Sequence, residues 1–225
     1  MRKTNIFICL LLYSVNLFAG DVATFVNLGF SADGSKYAFG QYGLTDQTYQ
    51  AYSDICIVDV ESNSFIKNGI FKTSPTKETR DKDSKSVFLA LQNRAQATLI
   101  KNNISESRLG RVLYSQAEDK TGTQTLYFRD FQTENEYTVM IHVDKTTKQE
   151  ASFYITVDIV LPNGSKISKK TGRPGYVRPG TKTYALKKIL INDKNNALIF
   201  IVEKHEYSSK GLSIRYMVET IHLPV

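Results

Sequence analysis

Residues 153–161 alternate apolar and polar side chains. Phe153, Ile155, Val157, Ile159 and Leu161 fall on one face, Thr156 and Asp158 on the other. A period of two marks a strand with one buried face. Pro162-Asn163-Gly164 follows, and because Asn and Gly tolerate the positive φ of tight turns, the chain is expected to fold back into "SKISKK" as a hairpin. Tyr137, Val139, Ile141 and Val143 alternate in the same way, as do Leu212, Ile214, Tyr216 and Val218. Residues 197–202, "ALIFIV", are apolar on both faces and predict a central strand covered from both sides. About eleven strands are expected in all.

One segment has a different period. After Ser84 or Ser86 as N-cap, Phe88, Leu91, Ala95 and Leu99 recur at helical spacing opposite Lys85, Gln92 and Gln96, and Asn102-Asn103 can close the end. This predicts one amphipathic helix near residues 85–101 whose apolar stripe packs on a sheet. The stretch before it, "KTSPTKETRDKDSK", is charged and lacks large apolar residues, which predicts a mobile loop.

The composition agrees with a β protein: no Trp, but 13 Tyr and 12 Phe, residue types that strands favour. The amino terminus changes the picture of where the protein works. A basic start at Met1-Arg2-Lys3, an apolar run from Ile6 to Leu12 and the small-residue exit "NLFAG" form the three parts of a secretory signal peptide. Cleavage is expected after Ala19, leaving residues 20–225 as a single β-rich domain, soluble in the periplasm or secreted. The apolar run is shorter than the roughly 20 residues a helix needs to cross a bilayer, so no transmembrane segment is expected in the mature chain. Cys9 leaves with the signal, and Cys56 then has no partner for an intrachain disulfide.

Candidate chemistry is sparse. Asp119-Lys120-Thr121-Gly122-Thr123 spells the five letters around the phosphorylated aspartate of P-type ion pumps. Here, however, Gln124 stands where those pumps have an aliphatic residue, polar "SQAE" precedes the Asp, and export removes the chain from ATP. The segment reads as turn chemistry. "GFSADG" lacks the second Gly of the esterase elbow, with Asp33 in its place, so Ser31 is expected to be structural. His142, His205 and His222 sit in or beside strands without a third or fourth ligand in view, and no Gly-Lys-Ser or Gly-Lys-Thr phosphate cradle occurs. No catalytic residue, cofactor or metal is expected.

Two stretches resemble known sequences. "LGFSADGSKYAFGQYG", followed by "SDICIVDVESNSF", looks like a blade of a TolB-type β-propeller, and "YALKKILINDKNNALIFIVEKHEYSSKGLSIRYMVETIHL" has a similar rhythm with its turn at Asn192–Asn196. Along its mature length the chain resembles a family of bacterial predicted secreted proteins, domain-of-unknown-function family 2259. The likeness is carried by Gly29-Phe30-Ser31 with Asp33-Gly34, "YAFGQYG" with Asp46 beyond it, "IVDV", the helix with Arg94, and "SIRYMVET". It implies export and one domain, and no reaction or ligand. The expected fold is mainly β: antiparallel blade-like sheets forming a sandwich or a partial propeller-like domain, with the single helix.

Charge is unevenly placed. Between Gly20 and Ile66 there are six acidic residues against Lys36 alone, whereas between Ile159 and Asn192 there are eight basic residues and no acidic one. Lys166, Lys169, Lys170, Arg173, Arg178 and Lys182 surround Tyr176 among Gly and Pro turns, the make-up of a basic surface loop for an anionic partner. The loop could equally be solvated or docked on the acidic amino-terminal sheet. Outside the cytoplasm nucleic acid is not the expected partner, and an envelope protein or an anionic envelope polymer is. The leading expectation is a non-catalytic binding or interaction module. The alternative is a hydrolase of envelope polymers using carboxylates such as Asp46, Asp54 or Asp158.

Overall fold

The computed structural model describes residues 21–147, 150–208 and 211–224. The expected signal peptide, residues 1–19, lies outside the described residues. What is described is three antiparallel sheets and one long helix, stacked in the order helix, amino-terminal sheet, central sheet, outer sheet.

The amino-terminal sheet is a meander of β1 (Thr24–Phe30), β2 (Lys36–Leu44), β3 (Ala51–Asp59) and β4 (Ser64–Thr73). Its first turn is closed by Asp33, whose carboxylate accepts from the Ser31 hydroxyl at 2.5 Å and from the Ser35 amide at 3.0 Å. These donors hold the Asp33 carboxyl below the usual carboxylate range. Helix α1 (Ser84–Lys101) lies across one face of this sheet and buries Phe88, Leu91, Ala95 and Leu99 against Leu28, Ala38, Ile55 and Ile57. Gly40 makes the approach possible, because a Cβ there would stand 2.4 Å from the Phe88 ring. The N-cap is Asp83, in place of the expected Ser84 or Ser86, and it accepts from the amides of Lys85 and Ser86. Asn102 closes the other end as expected, its side chain donating to the Thr98 carbonyl at 2.8 Å. The charged stretch before the helix is more structured than expected: Lys77–Thr79 form a 3-10 turn with Thr79 buried, and Arg80 pairs with Gln50.

The opposite face of the amino-terminal sheet, with Phe30, Tyr37, Phe39 and Val58, packs on Leu190, Ala197, Ile199 and Ile201 of the central sheet. That sheet runs β13 (Gly211–His222), β12 (Ala197–Ser208), β11 (Thr181–Ile191), β5 (Arg111–Ser115). Its second face offers Leu186, Ile189, Leu198, Phe200 and Val202 to the outer sheet. Residues 197–202 are therefore buried on both sides, which is why those six positions carry no polar side chain.

The outer sheet contains β6 (Gln124–Arg129), β7 (Glu136–Thr147) and β8 (Glu150–Val160). Its inward row is the predicted one, Phe153, Ile155, Val157 and Ile159. The Pro162–Gly164 turn returns the chain as β9 (Lys166–Gly172) along β8, and β10 (Arg178–Pro179) continues the same edge opposite Ala151 and Glu150. The sheets stack like blades laid on one another without closing into a ring.

Candidate binding cleft

The three layers meet at one side chain. Asp59 closes the β3–β4 turn by accepting from the Ser62 amide at 2.9 Å, which leaves Asn63 at φ 49°, a left-handed conformation that Asn tolerates. From there its amide reaches both other sheets. Nδ2 donates to Thr171 Oγ1 on β9 at 2.9 Å and to the Glu219 carboxylate on β13. Oδ1 accepts from the Thr220 backbone N–H at 2.9 Å and from its hydroxyl at 3.2 Å.

Two clefts open on either side of this knot. The first, about 470 Å³, is polar and is lined by Glu61, Ser62, Lys169, Lys170, Arg173 and His222. The second, about 270 Å³, has Phe65, Tyr176 and Met217 as apolar walls, Arg178 beside them and Val218 and Glu219 on β13 as floor. Asn63 and Arg173 border both.

The basic segment is thus not the loop its composition suggests. Lys166, Lys169 and Lys170 belong to β9, whose charged side chains suit an edge strand that must not pair further. Lys169 lies opposite Val157 and shares its face with Thr171, toward β13. Lys170 is on the other face, its ammonium 4.6 Å from the Tyr154 ring centre. Arg173 and Tyr176 occupy the turn, and Arg178 of β10 places its guanidinium 4.8 Å from the Tyr176 ring centre and 5.4 Å from that of Phe153. Lys166 at the far end of β9 and Lys182 on β11 line neither cleft. Among the described residues, Lys169, Lys170 and Arg173 form no ion pair with a carboxylate.

Glu219 was not visible as a site residue in the sequence. Burial raises its carboxyl above the usual range, outweighing the Asn63 hydrogen bond and the positive charges of Arg178 and Arg173. The carboxylates singled out from the sequence lie elsewhere. Asp46 accepts from the Ser208 hydroxyl, Asp54 on β3 accepts from Gln41 at 3.4 Å, and Asp158 on the outward face of β8 accepts from Ser168 at 2.5 Å. None of the three lines either cleft.

The remaining motifs find structural places. Ser31 is buried and shared between Asp33 and the Lys36 amide, so its hydroxyl is not presented to a substrate. The side chain of Asp119 is 96% exposed and pairs with Lys187 at 3.1 Å. Its segment connects β5 of the central sheet to β6 of the outer sheet and is a crossover, not a hairpin turn. His142 stacks on its cross-strand partner Tyr154 at 4.2 Å, and His205 pairs at 2.9 Å with Glu203, two residues before it on β12. Among the described residues no three His, Cys, Asp or Glu side chains converge as a metal site. Cys56 is buried, and burial pushes its thiol up to about 12.

The architecture is that of a mainly β, sandwich-like protein with a single long helix, and no helix among the described residues is long and apolar enough to cross a membrane. The chain belongs to domain-of-unknown-function family 2259, described as a predicted secreted protein, whose family model matches residues 38–222. The match includes residues 105–180, where none of the motifs that carry the resemblance lies, and it begins after the Gly29–Gly34 opening. No curated protein and no solved structure matches the chain.

Proposed function

We propose that this protein is exported to the envelope, is soluble in the periplasm after loss of residues 1–19, and acts as a non-catalytic binding module for an anionic partner. The family's description as secreted supports the export. The observation that carries the binding reading is the lining of one polar cleft by Lys169, Lys170 and Arg173, none of them ion-paired to a carboxylate among the described residues. Ser62 adds a hydroxyl and Tyr176 an aromatic wall next to it. Cations without a carboxylate ion-paired to them attract a negatively charged ligand over roughly 8–10 Å at physiological salt.

The test is calorimetric titration with polygalacturonate and with polyglutamate at rising salt. Binding weakens as salt rises. It weakens further when Lys169, Lys170 and Arg173 are all replaced by Ser, while the thermal midpoint stays close to that of the parent, since exposed substitutions each stay within about 0.5 kcal/mol. Salt-independent binding, or no binding of either polyanion, removes the reading.

A further inference from the structure

The open edge of the central sheet is β13, and most of its outward N–H groups already have acceptors. The β12–β13 register is unbroken, so Ile214, Tyr216, Val218 and Thr220 all turn their N–H and C=O groups away from β12. Ile214 is paired with the chain's beginning: its N–H donates to the Asp21 carbonyl at 2.9 Å, and its C=O accepts from Ala23 at 3.1 Å. The Tyr216 N–H donates to Gln41 Oε1 at 2.8 Å, and the Thr220 N–H to Asn63 Oδ1 at 2.9 Å. Between these two side-chain caps, the Val218 N–H has no hydrogen-bond partner among the described residues. Val218 forms part of the floor of the aromatic-walled cleft.

We infer that this gap receives an extended acidic peptide segment that pairs with Val218 through its backbone and sets a carboxylate against Arg173. The inference rests on the anionic-partner reading above and adds the class of partner. A lone carboxylate or phosphate could accept from the Val218 N–H but would leave the Val218 carbonyl unanswered. A peptide unit supplies an acceptor and a donor at strand spacing, as in recognition by strand addition. The caps at Tyr216 and Thr220 are four residues apart, about 13 Å along a strand, which leaves room for roughly three ligand residues. Alternate side chains of such a segment would meet Phe65 on one wall and Tyr176 on the other. Lys169 and Arg173 stand at the Thr220 end, so the acidic residue or terminal carboxylate points that way.

The experiment uses the mature chain labelled with nitrogen-15 and titrated with N-acetyl-Ala-Ala-Glu carrying free carboxylates. The Val218 amide proton moves downfield and exchanges more slowly. The same peptide N-methylated at its middle residue binds about tenfold more weakly, and Arg173→Ala costs a similar factor, as expected for losing one backbone and one charge-assisted hydrogen bond. If the peptide leaves the Val218 resonance unmoved, or N-methylation changes nothing, the inference is overturned. If polygalacturonate then still binds in an Arg173-dependent way, an anionic polysaccharide is the partner and the broader reading stands. If neither ligand binds, both fall.

Discussion

Asn63 offers the sharpest test of how the layers are joined. In Asn63→Gly the backbone keeps its left-handed conformation, so only the side-chain contacts are lost. The Thr220 N–H loses its acceptor, a loss worth about 1–3 kcal/mol for a buried donor, and Glu219 loses a charge-assisted hydrogen bond worth about 1.5–3 kcal/mol. Asn63 is only half-buried, so water replaces part of this and the expected loss is about 3 kcal/mol. For a chain of this size that lowers the thermal midpoint by roughly 6–12 °C. Asn63→Ala adds about 1 kcal/mol, because Ala carries a Cβ into a positive φ. Asn63→Asp restores the acceptor for Thr220 but sets a second carboxylate against Glu219, and is expected to be the worst of the three at neutral pH and to improve on acidification. Urea unfolding of all four proteins, followed by tyrosine fluorescence, gives the differences. A loss below about 1 kcal/mol in Asn63→Gly would refute the idea that this side chain clamps the sheets together.

Other outcomes follow from single features. Intact-mass measurement of protein recovered from the envelope fraction should show a chain beginning at Gly20, and a full-length cytoplasmic product would end the export reading. Asp119→Asn should stay within about 0.5 kcal/mol of the parent, because the side chain is exposed and its ion pair with Lys187 is screened; acid-stable label from ATP that depends on Asp119 would show phosphoryl chemistry instead. Glu219 has its folded carboxyl raised, so ionising it costs stability as pH climbs from the usual carboxylate range through the raised folded value. Glu219→Gln should therefore be more stable than the parent at pH 8 and lose that advantage at pH 4, measured by urea midpoints. Leu91→Ala, on the buried face of the helix, should cost about 2–5 kcal/mol, and a smaller loss would show that the helix is not seated as described.

The sequence announced some of this and hid the rest for physical reasons. Where burial is one-sided or total, period and composition reported it: the inward row Phe153–Ile159, the doubly buried 197–202 and the helical stripe Phe88–Leu99 all lie where spacing put them. β9 was partly masked. Of its residues only Thr171 is fully buried, and lysines at three of seven positions drown the alternation with edge-protecting charge. The segment 117–123 reads as turn chemistry, but that it crosses from the central to the outer sheet was hidden, because local chemistry does not encode which sheet a strand joins. The cleft was least legible. Asn63 and Glu219 are 156 residues apart, and the only local sign of Asn63 is its fitness for a positive φ in a turn.

That blind spot has a cause that also bears on function. An exposed edge strand invites association with any free strand, and proteins blunt such edges with charge, bulges or covering segments. β13 is blunted by other means: the chain's own Asp21–Ala23 covers its first residues, and the amides of Gln41 and Asn63 stand in for a neighbouring strand at Tyr216 and Thr220. Each cap comes from the amino-terminal sheet, so the edge is protected only once that sheet has docked. With the N–H groups on both sides already engaged, the gap at Val218 is too short for a second copy of a long strand to add, yet long enough for a segment of about three residues. Edge protection and selective access are then the same structural device. The residues that perform it had to be distant in sequence, because a cap for one sheet must be supplied by another.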